Sequence, residues 1–251
     1  MNAIFYFSST GNSLNIAQEL QKILGGDIYY MPSFKGDVKK YDKLIFVSPI
    51  YLFGLPIPTD NFLSKLKTNL PCYMVLNYGG ASFSAPYYTY KQMRKYGLNV
   101  QGIYKLKMPE NFTLFLTVAV FYIKALLKSL PKRIKNIAQA IKANETNIPK
   151  KPFFNFDNLH FKGRANWYSL AQSFSVSDAC SLCGKCINIC PTNNIKAENG
   201  KIIFADNCVS CLGCYHRCPQ RAICYKGKPP KKPYVNTNIN EDTLQKNILS
   251  P

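Results

Sequence analysis

Phe7-Ser8-Ser9-Thr10-Gly11-Asn12-Ser13 stands between Ala3–Phe7, which reads as a strand, and Ser13–Leu24, which reads as a helix. Ile16, Leu20, Ile23 and Leu24 fall at helical spacing on one face, and Gly25-Gly26 stops the pattern. A turn in this position leaves backbone N–H groups at the start of a helix, where the helix dipole also favours negative charge. The hydroxyls of Ser8, Ser9, Thr10 and Ser13, with the Asn12 amide, would saturate the oxygens of a phosphate. No lysine is present and the glycine-rich dinucleotide pattern is absent, so this is neither a P-loop nor a dinucleotide fingerprint. A hydroxyl-rich loop with no cation suits a monophosphate ester.

The pattern continues outward from that loop. Asp27–Met31, Leu44–Ser48, Pro71–Asn77 and a segment within Leu98–Met108 read as four more strands. Thr59–Leu66 and Ala85–Tyr96 read as helices between them, the second with Ser84 as N-cap. Strands alternating with helices predict an α/β fold, a doubly wound five-stranded parallel sheet covered on both faces. Thr113–Leu127 and Lys132–Ala143, broken at Pro131, supply one bent helix or two successive ones. Two loops close the third and fourth strands, Ser48-Pro49-Ile50-Tyr51-Leu52-Phe53-Gly54-Leu55-Pro56 and Asn77-Tyr78-Gly79-Gly80-Ala81.

The hydroxyl loop and these two loops resemble those of the flavodoxin family over residues 1–146. That resemblance implies FMN, its phosphate on Ser8, Ser9, Thr10, Gly11, Asn12 and Ser13. It places the flavin ring between the strand-end loops, with Pro49 and Gly54 in the first of them. Tyr51, Phe53 and Tyr78 become candidate stacking residues, and the Gly79-Gly80 amides candidate contacts to the ring edge. The chain departs from the family in a long apolar segment after the fifth strand and a short region between the second and third.

Eight of the ten cysteines fall between Cys180 and Cys218. A shift of 28 positions lays Cys180, Cys183, Cys186 and Cys190 on Cys208, Cys211, Cys214 and Cys218. The same shift superimposes Pro191 on Pro219 and Ile195 on Ile223, so a half-domain is duplicated. Each half reads C-x2-C-x2-C-x3-C-P. Three closely spaced cysteines wrap one cubane and the fourth serves the other cluster. Cluster one is then Cys180, Cys183, Cys186 and Cys218; cluster two is Cys208, Cys211, Cys214 and Cys190. Structural zinc prefers separated C-x2-C pairs. Residues 175–227 resemble the bacterial two-cluster ferredoxins, and the whole resembles flavodoxin–ferredoxin fusions, implying two 4Fe-4S clusters.

Gly184 and Gly213 suit a backbone pressed against cluster sulfide, or serve as plain turn glycines. Cys72 and Cys224 are expected to be unliganded. His160 and His216 are the only histidines, without a partner at ligand spacing, and His216 is expected on a solvated loop. Residues 147–174 read as a linker lying on a surface. The tail 228–251, rich in Lys, Pro and Asn, is expected to be loose or draped over the body.

The longest apolar run, Phe112–Ile123, is too short to span a bilayer. It reads as a buried helix, with an interfacial membrane helix as the alternative. No signal peptide is visible at the N-terminus, which predicts a cytoplasmic protein with reduced thiols.

Lys and Arg number 32 against 13 Asp and Glu, a formal charge of +19. Cluster thiolates reduce that excess, since each cubane with its four ligands carries about −2. The cations are spread along the chain. An acidic redox partner is expected and nucleic acid is not.

The reading is an electron-transfer protein that relays single electrons between two 4Fe-4S clusters and FMN. No acid–base pair, catalytic cysteine or substrate pocket is legible, so a carrier is expected over a substrate-specific oxidoreductase. Two alternatives stay open: a flavin-dependent reductase fed by its own ferredoxin domain, and a redox-responsive binding module without flavin.

Overall fold

Apolar runs bounded by turns become the strands, because each is covered on both faces. The computed structural model describes residues 1–114, 119–154, 156–240 and 243–244. β1 (Asn2–Tyr6), α1 (Asn12–Leu24), β2 (Asp27–Tyr30), β3 (Lys43–Pro49), α2 (Ile57–Lys65), β4 (Pro71–Tyr78), α3 (Ala85–Lys95) and β5 (Asn99–Lys107) alternate along the chain. The strands form one parallel sheet in the order β2-β1-β3-β4-β5, a flavodoxin-like α/β fold. The strand order reverses between β1 and β3, and such a switch opens a crevice at the carboxyl ends of the strands. The hydroxyl loop lies there.

On one face, Phe5 sits in register with Tyr29 and Phe46, ring centroids 5.5 and 5.7 Å away. Phe62 of α2 and Phe34 close over Phe5 at 5.1 and 4.9 Å. On the other face, α1 packs against α5 (Leu130–Lys142), which buries Leu130, Ile134, Ala138 and Ile141 along one stripe. Pro131 lies in the first turn of α5, where its missing N–H costs nothing, so the break makes two helices.

The helix before it, α4 (Val120–Lys128), corrects an expectation. It is not a buried helix: Val120 is 54% and Phe121 78% exposed, and Leu127 is its buried residue. α1 and α5 already cover that side of the sheet, which leaves α4 the flank of α5. Residues 115–118 of the apolar run lie outside the described residues. Ser84 precedes α3 but makes no cap bond, since its backbone is already helical; its hydroxyl instead accepts the Phe156 N–H at 3.2 Å.

The segment expected as a surface linker is structured. Asn147 bonds beside β5, giving its N–H to the Gln101 carbonyl and accepting the Ile103 N–H, each at 2.9 Å. The chain then forms α6 (Asp157–Ala165) and the short α7 (Ser169–Gln172). Arg164 bonds Asp60 of α2 at 2.6 Å and Lys91 of α3 bonds Asp157 at 2.9 Å, clamping α6 to the sheet's helices.

Beyond α7, β6 (Phe174–Val176) pairs antiparallel with β9 (Ile223–Tyr225), and β7 (Ile195–Glu198) with β8 (Lys201–Phe204). Short helices α8 (Lys185–Asn188) and α9 (Gly213–Arg217) complete the cysteine region. The duplication persists in the backbone. Left-handed residues recur 28 positions apart as Leu182 and Ser210, Gly184 and Leu212, and Asn193 and Arg221. The left-handed partner of Gly184 is thus Leu212 rather than Gly213. The tail is not loose up to Asn240: Tyr234, Asn236 and Ile239 are buried against the body.

Candidate functional site

The hydroxyl loop turns through Gly11, whose φ of +94° favours glycine, and passes directly into α1. Ser8, Ser9, Thr10, Asn12 and Ser13 are all buried. Their polar atoms are unequally engaged. Ser8 Oγ accepts the Gly11 N–H at 3.0 Å and Ser13 Oγ accepts Asn77 Nδ2 at 2.8 Å. Asn12 donates to the Pro109 carbonyl at 2.9 Å and accepts from Tyr234 Oη at 2.5 Å and Asn236 Nδ2 at 3.1 Å. Its amide braces the loop. Ser9 and Thr10 keep the loosest contacts, at 3.3–3.5 Å.

A circuit of hydrogen bonds fixes this loop. Asn111 Nδ2 donates to Thr10 Oγ1 at 3.3 Å, and the Asn111 carbonyl accepts from His216 Nε2 at 2.6 Å. His216 Nδ1 accepts the Tyr234 N–H at 3.0 Å, and Tyr234 Oη returns to Asn12. His216 is therefore a buried residue of α9, not a solvated one, and burial lowers its pKa to about 4. The neutral ring, donor at one nitrogen and acceptor at the other, meets both demands.

The β3 loop forms a tight turn in which Tyr51 and Gly54 exchange N–H···O bonds of 2.9 and 3.1 Å. Leu52 and Phe53 take left-handed φ of 43° and 68°, which strains a residue with a side chain. His160 of α6 holds the strained turn. Its Nδ1 lies 3.1 Å from the Tyr51 carbonyl and 3.0 Å from that of Leu52, so this nitrogen carries the proton. A β-carbon on Gly54 would stand 2.5 Å from the His160 ring, and one on Gly79 2.5 Å from Glu110 Oε2. Both loops thus need glycine for close approach.

A cavity of about 530 Å³ opens between these loops. Tyr51, Phe53, Tyr78, Gly79, Gly80 and Asn111 line it, with Trp167 from the segment after α6. Its remaining wall comes from Ser210, Cys211, Leu212, Tyr225 and Lys226 of the cysteine region. It adjoins a narrower pocket lined by Ser8, Ser9, Thr10, Asn12, Ser13 and Pro49, since Ile50, Tyr78, Gly79, Glu110 and Asn111 border both. Tyr51 meets Trp167 edge-on at 5.9 Å. Phe53 instead packs with Phe83 and Phe156, at 5.2 and 5.1 Å.

Cys180, Cys183, Cys186 and Cys218 border one further pocket, so the first three thiols of one half meet the last of the other. Burial raises the pKa of Cys208, Cys211 and Cys214, Cys211 up to about 12, and Cys190 lies near enough to each of the three to raise it further. Cys186 also acts on Cys214, which joins the two groups. Backbone N–H groups of Asn194 and Ala222 donate to Cys190 and Cys218 sulfur, both at 3.2 Å and again 28 positions apart. Donors to sulfur are the groups that tune cluster potentials. Cys72 and Cys224 are buried within β4 and β9. Gly213 faces the hydroxyl loop, where an added β-carbon would lie 3.4 Å from Ser9 Cβ.

Sequence reasoning missed Trp167, His160, Asn111 and the tail, whose roles rest on contacts between segments far apart in sequence. The sole tryptophan was visible as a count, but its position carried no motif.

Comparison with known proteins matches residues 3–96 to a family described as flavodoxin domain and residues 179–223 to one described as 4Fe-4S dicluster domain. A flavodoxin of Haemophilus influenzae is 42% identical over 69 residues, 26% of this chain; the match spans 40% of that relative's length. An uncharacterized ferredoxin of Methanocaldococcus jannaschii is 39% identical over 66 residues, 24% of this chain and 86% of that protein. Among solved structures, a Fusobacterium nucleatum flavodoxin bound to flavin mononucleotide aligns with 20% identity and a TM-score of 0.41, covering 58% of this chain and 98% of that one.

Proposed function

We propose, from the premise that this chain belongs to the flavodoxin–ferredoxin fusions, that it relays single electrons between two 4Fe-4S clusters and FMN. That it is in general an electron-transfer iron–sulfur flavoprotein follows from the two domains it joins. The observation that carries the finer reading is the shared wall: Cys211 of the cysteine region and Tyr51 and Tyr78 of the strand-end loops line one cavity.

The residues present fit both groups. The cavity lies within the roughly 300–1,000 Å³ of ordinary ligand sites and continues into a buried hydroxyl loop at a helix N-terminus. Ser9 and Thr10, the loosest-held hydroxyls, with the first amides of α1, would hold the phosphate. Tyr51, Tyr78 and Trp167 would enclose the ring, while Leu170 and Leu212 exclude water. When bound, FMN supplies one- or two-electron chemistry and the cubanes supply single-electron exchange.

The thiols set an order. Cys183 is exposed and Leu182 beside it is 48% exposed, so the cluster-one set faces solvent. Cys211 and Gly213 of the other half face the hydroxyl loop and the cavity. With Cys180, Cys183, Cys186 and Cys218 holding the solvent-facing cluster and Cys190, Cys208, Cys211 and Cys214 the one beside the cavity, electrons from a partner protein would arrive on the Cys183 side and be delivered on the Cys211 side. Anaerobic purification followed by iron analysis and acid release of flavin tests this. Iron for two cubanes and about one FMN per chain is expected. Absence of flavin after incubation with excess FMN would overturn the relay and leave a ferredoxin.

A further inference from the structure

Outside these sites, two apolar ridges stand in water. Phe153 and Phe154 are 95% and 69% exposed and pack edge to face on each other at 5.0 Å. Leu159 and Phe161 follow on α6 at 47% and 48%. α4 provides the second ridge through Phe121. The first reaches the rim of the large cavity. Phe53 lines it and packs on Phe156, and Phe112, 45% exposed, also lines it.

Charge decides what covers them. Residues 111–177 contain ten Lys or Arg against two acids, Glu145 and Asp157. Asp157 is buried and paired with Lys91, so it offers nothing to the surface. Lys150, Lys151 and Lys162 are exposed beside the first ridge, and Lys124 and Lys128 are exposed on α4. Protruding phenyl rings among unopposed lysines match the boundary between headgroups and acyl chains of an anionic bilayer, where apolar insertion and charge attraction add. No helix of the described residues is long and apolar enough to cross a membrane, so such contact is interfacial.

We infer that the face carrying the first ridge docks on an anionic bilayer surface, with Phe153 and Phe154 entering the interface and Lys150, Lys151 and Lys162 pairing with lipid phosphate. The rim of the cofactor cavity then lies against the membrane.

Co-sedimentation of the full holoprotein with vesicles of phosphatidylcholine, with and without phosphatidylglycerol, tests this. Binding to the anionic vesicles alone is expected, weakened by high salt. The double variant Phe153→Asp/Phe154→Asp should lose tenfold or more of that binding. Lys150→Gln/Lys151→Gln should lose several-fold, in line with lysine contributions near a charged surface. These side chains are exposed, and unchanged cluster absorbance checks that the variants fold. Absence of vesicle binding, or binding equal in both variants, would overturn the inference. So would a dimer that Phe153→Asp/Phe154→Asp converts to monomer, because the face would then belong to a second copy of the chain.

Discussion

Gly213 at the start of α9 lies against Ser9 of the hydroxyl loop: a β-carbon on Gly213 would stand 3.4 Å from Ser9 Cβ and 3.7 Å from Cys211 Sγ. One glycine therefore sits where the cysteine region meets the loop. Its φ is not left-handed, so the constraint there is space rather than backbone strain. Gly213→Ala places its methyl in ordinary contact and should retain iron and flavin. Gly213→Leu overpacks the junction, at a cost of about 1–3 kcal/mol, and should lower flavin retention. Flavin content after gel filtration, beside the thermal midpoint, checks the pair.

His160 ties down the strained Tyr51–Gly54 turn as a neutral ring, and burial lowers its pKa below 6.5. The unfolded chain therefore binds more protons between the folded pKa and about 6.5. The stability contributed is fully present above that pH and is lost as pH falls through the folded value. Urea midpoints from pH 7.5 to 5 should decline, and His160→Asn should flatten the decline.

The tail holds the loop through Asn236, which is fully buried. Its N–H donates to the Thr10 carbonyl at 2.8 Å and its side chain donates to Asn12 and Asn15 at 3.1 and 3.3 Å. Asn236→Ala removes both donated side-chain bonds, while Asn12 keeps Tyr234 Oη, Asn15 keeps Asn238 and the backbone bond to Thr10 persists, with a loss of about 1 kcal/mol in stability. If the tail also sets the loop's geometry for phosphate, FMN affinity should fall in the same variant. Calorimetric unfolding and fluorescence titration with FMN read the two effects separately.

Cys183→Ala removes a thiol of the exposed set, and Cys72→Ala removes a buried thiol remote from both sets. The first should lose about half the iron while keeping flavin, since its pocket shares no residue with the flavin cavity. The second should keep all of it, with only a stability loss for the emptied space. Iron analysis of the two variants settles the contrast.

The sheet was legible because Ile, Val and Phe runs bounded by turns need no distant information, and their bounds shift by only a residue or two. The cysteine spacing was equally local, and its duplication reappears as the paired left-handed residues Leu182 and Ser210. Apolar periodicity was less informative for α4, since it marks a helix without saying whether another element remains to cover it. Residues 147–174 lacked strong periodicity, so α6 and the placement of Trp167 went unread. The Asn-rich tail left a loose and a draped reading open, because the buried partners of its polar side chains, Asn12 and Asn15, lie more than 200 positions away.

The central claim is that the cluster beside Cys211 feeds the flavin within one chain. Its most direct test is anaerobic stopped-flow reduction of the holoprotein by a one-electron donor, following cluster and flavin absorbance at several protein concentrations. Cluster bleaching should come first, and flavin reduction should follow at a first-order rate independent of protein concentration. Cys183→Ala should slow it markedly. Flavin reduction that accelerates with protein concentration, or proceeds equally fast in Cys183→Ala, would contradict the relay.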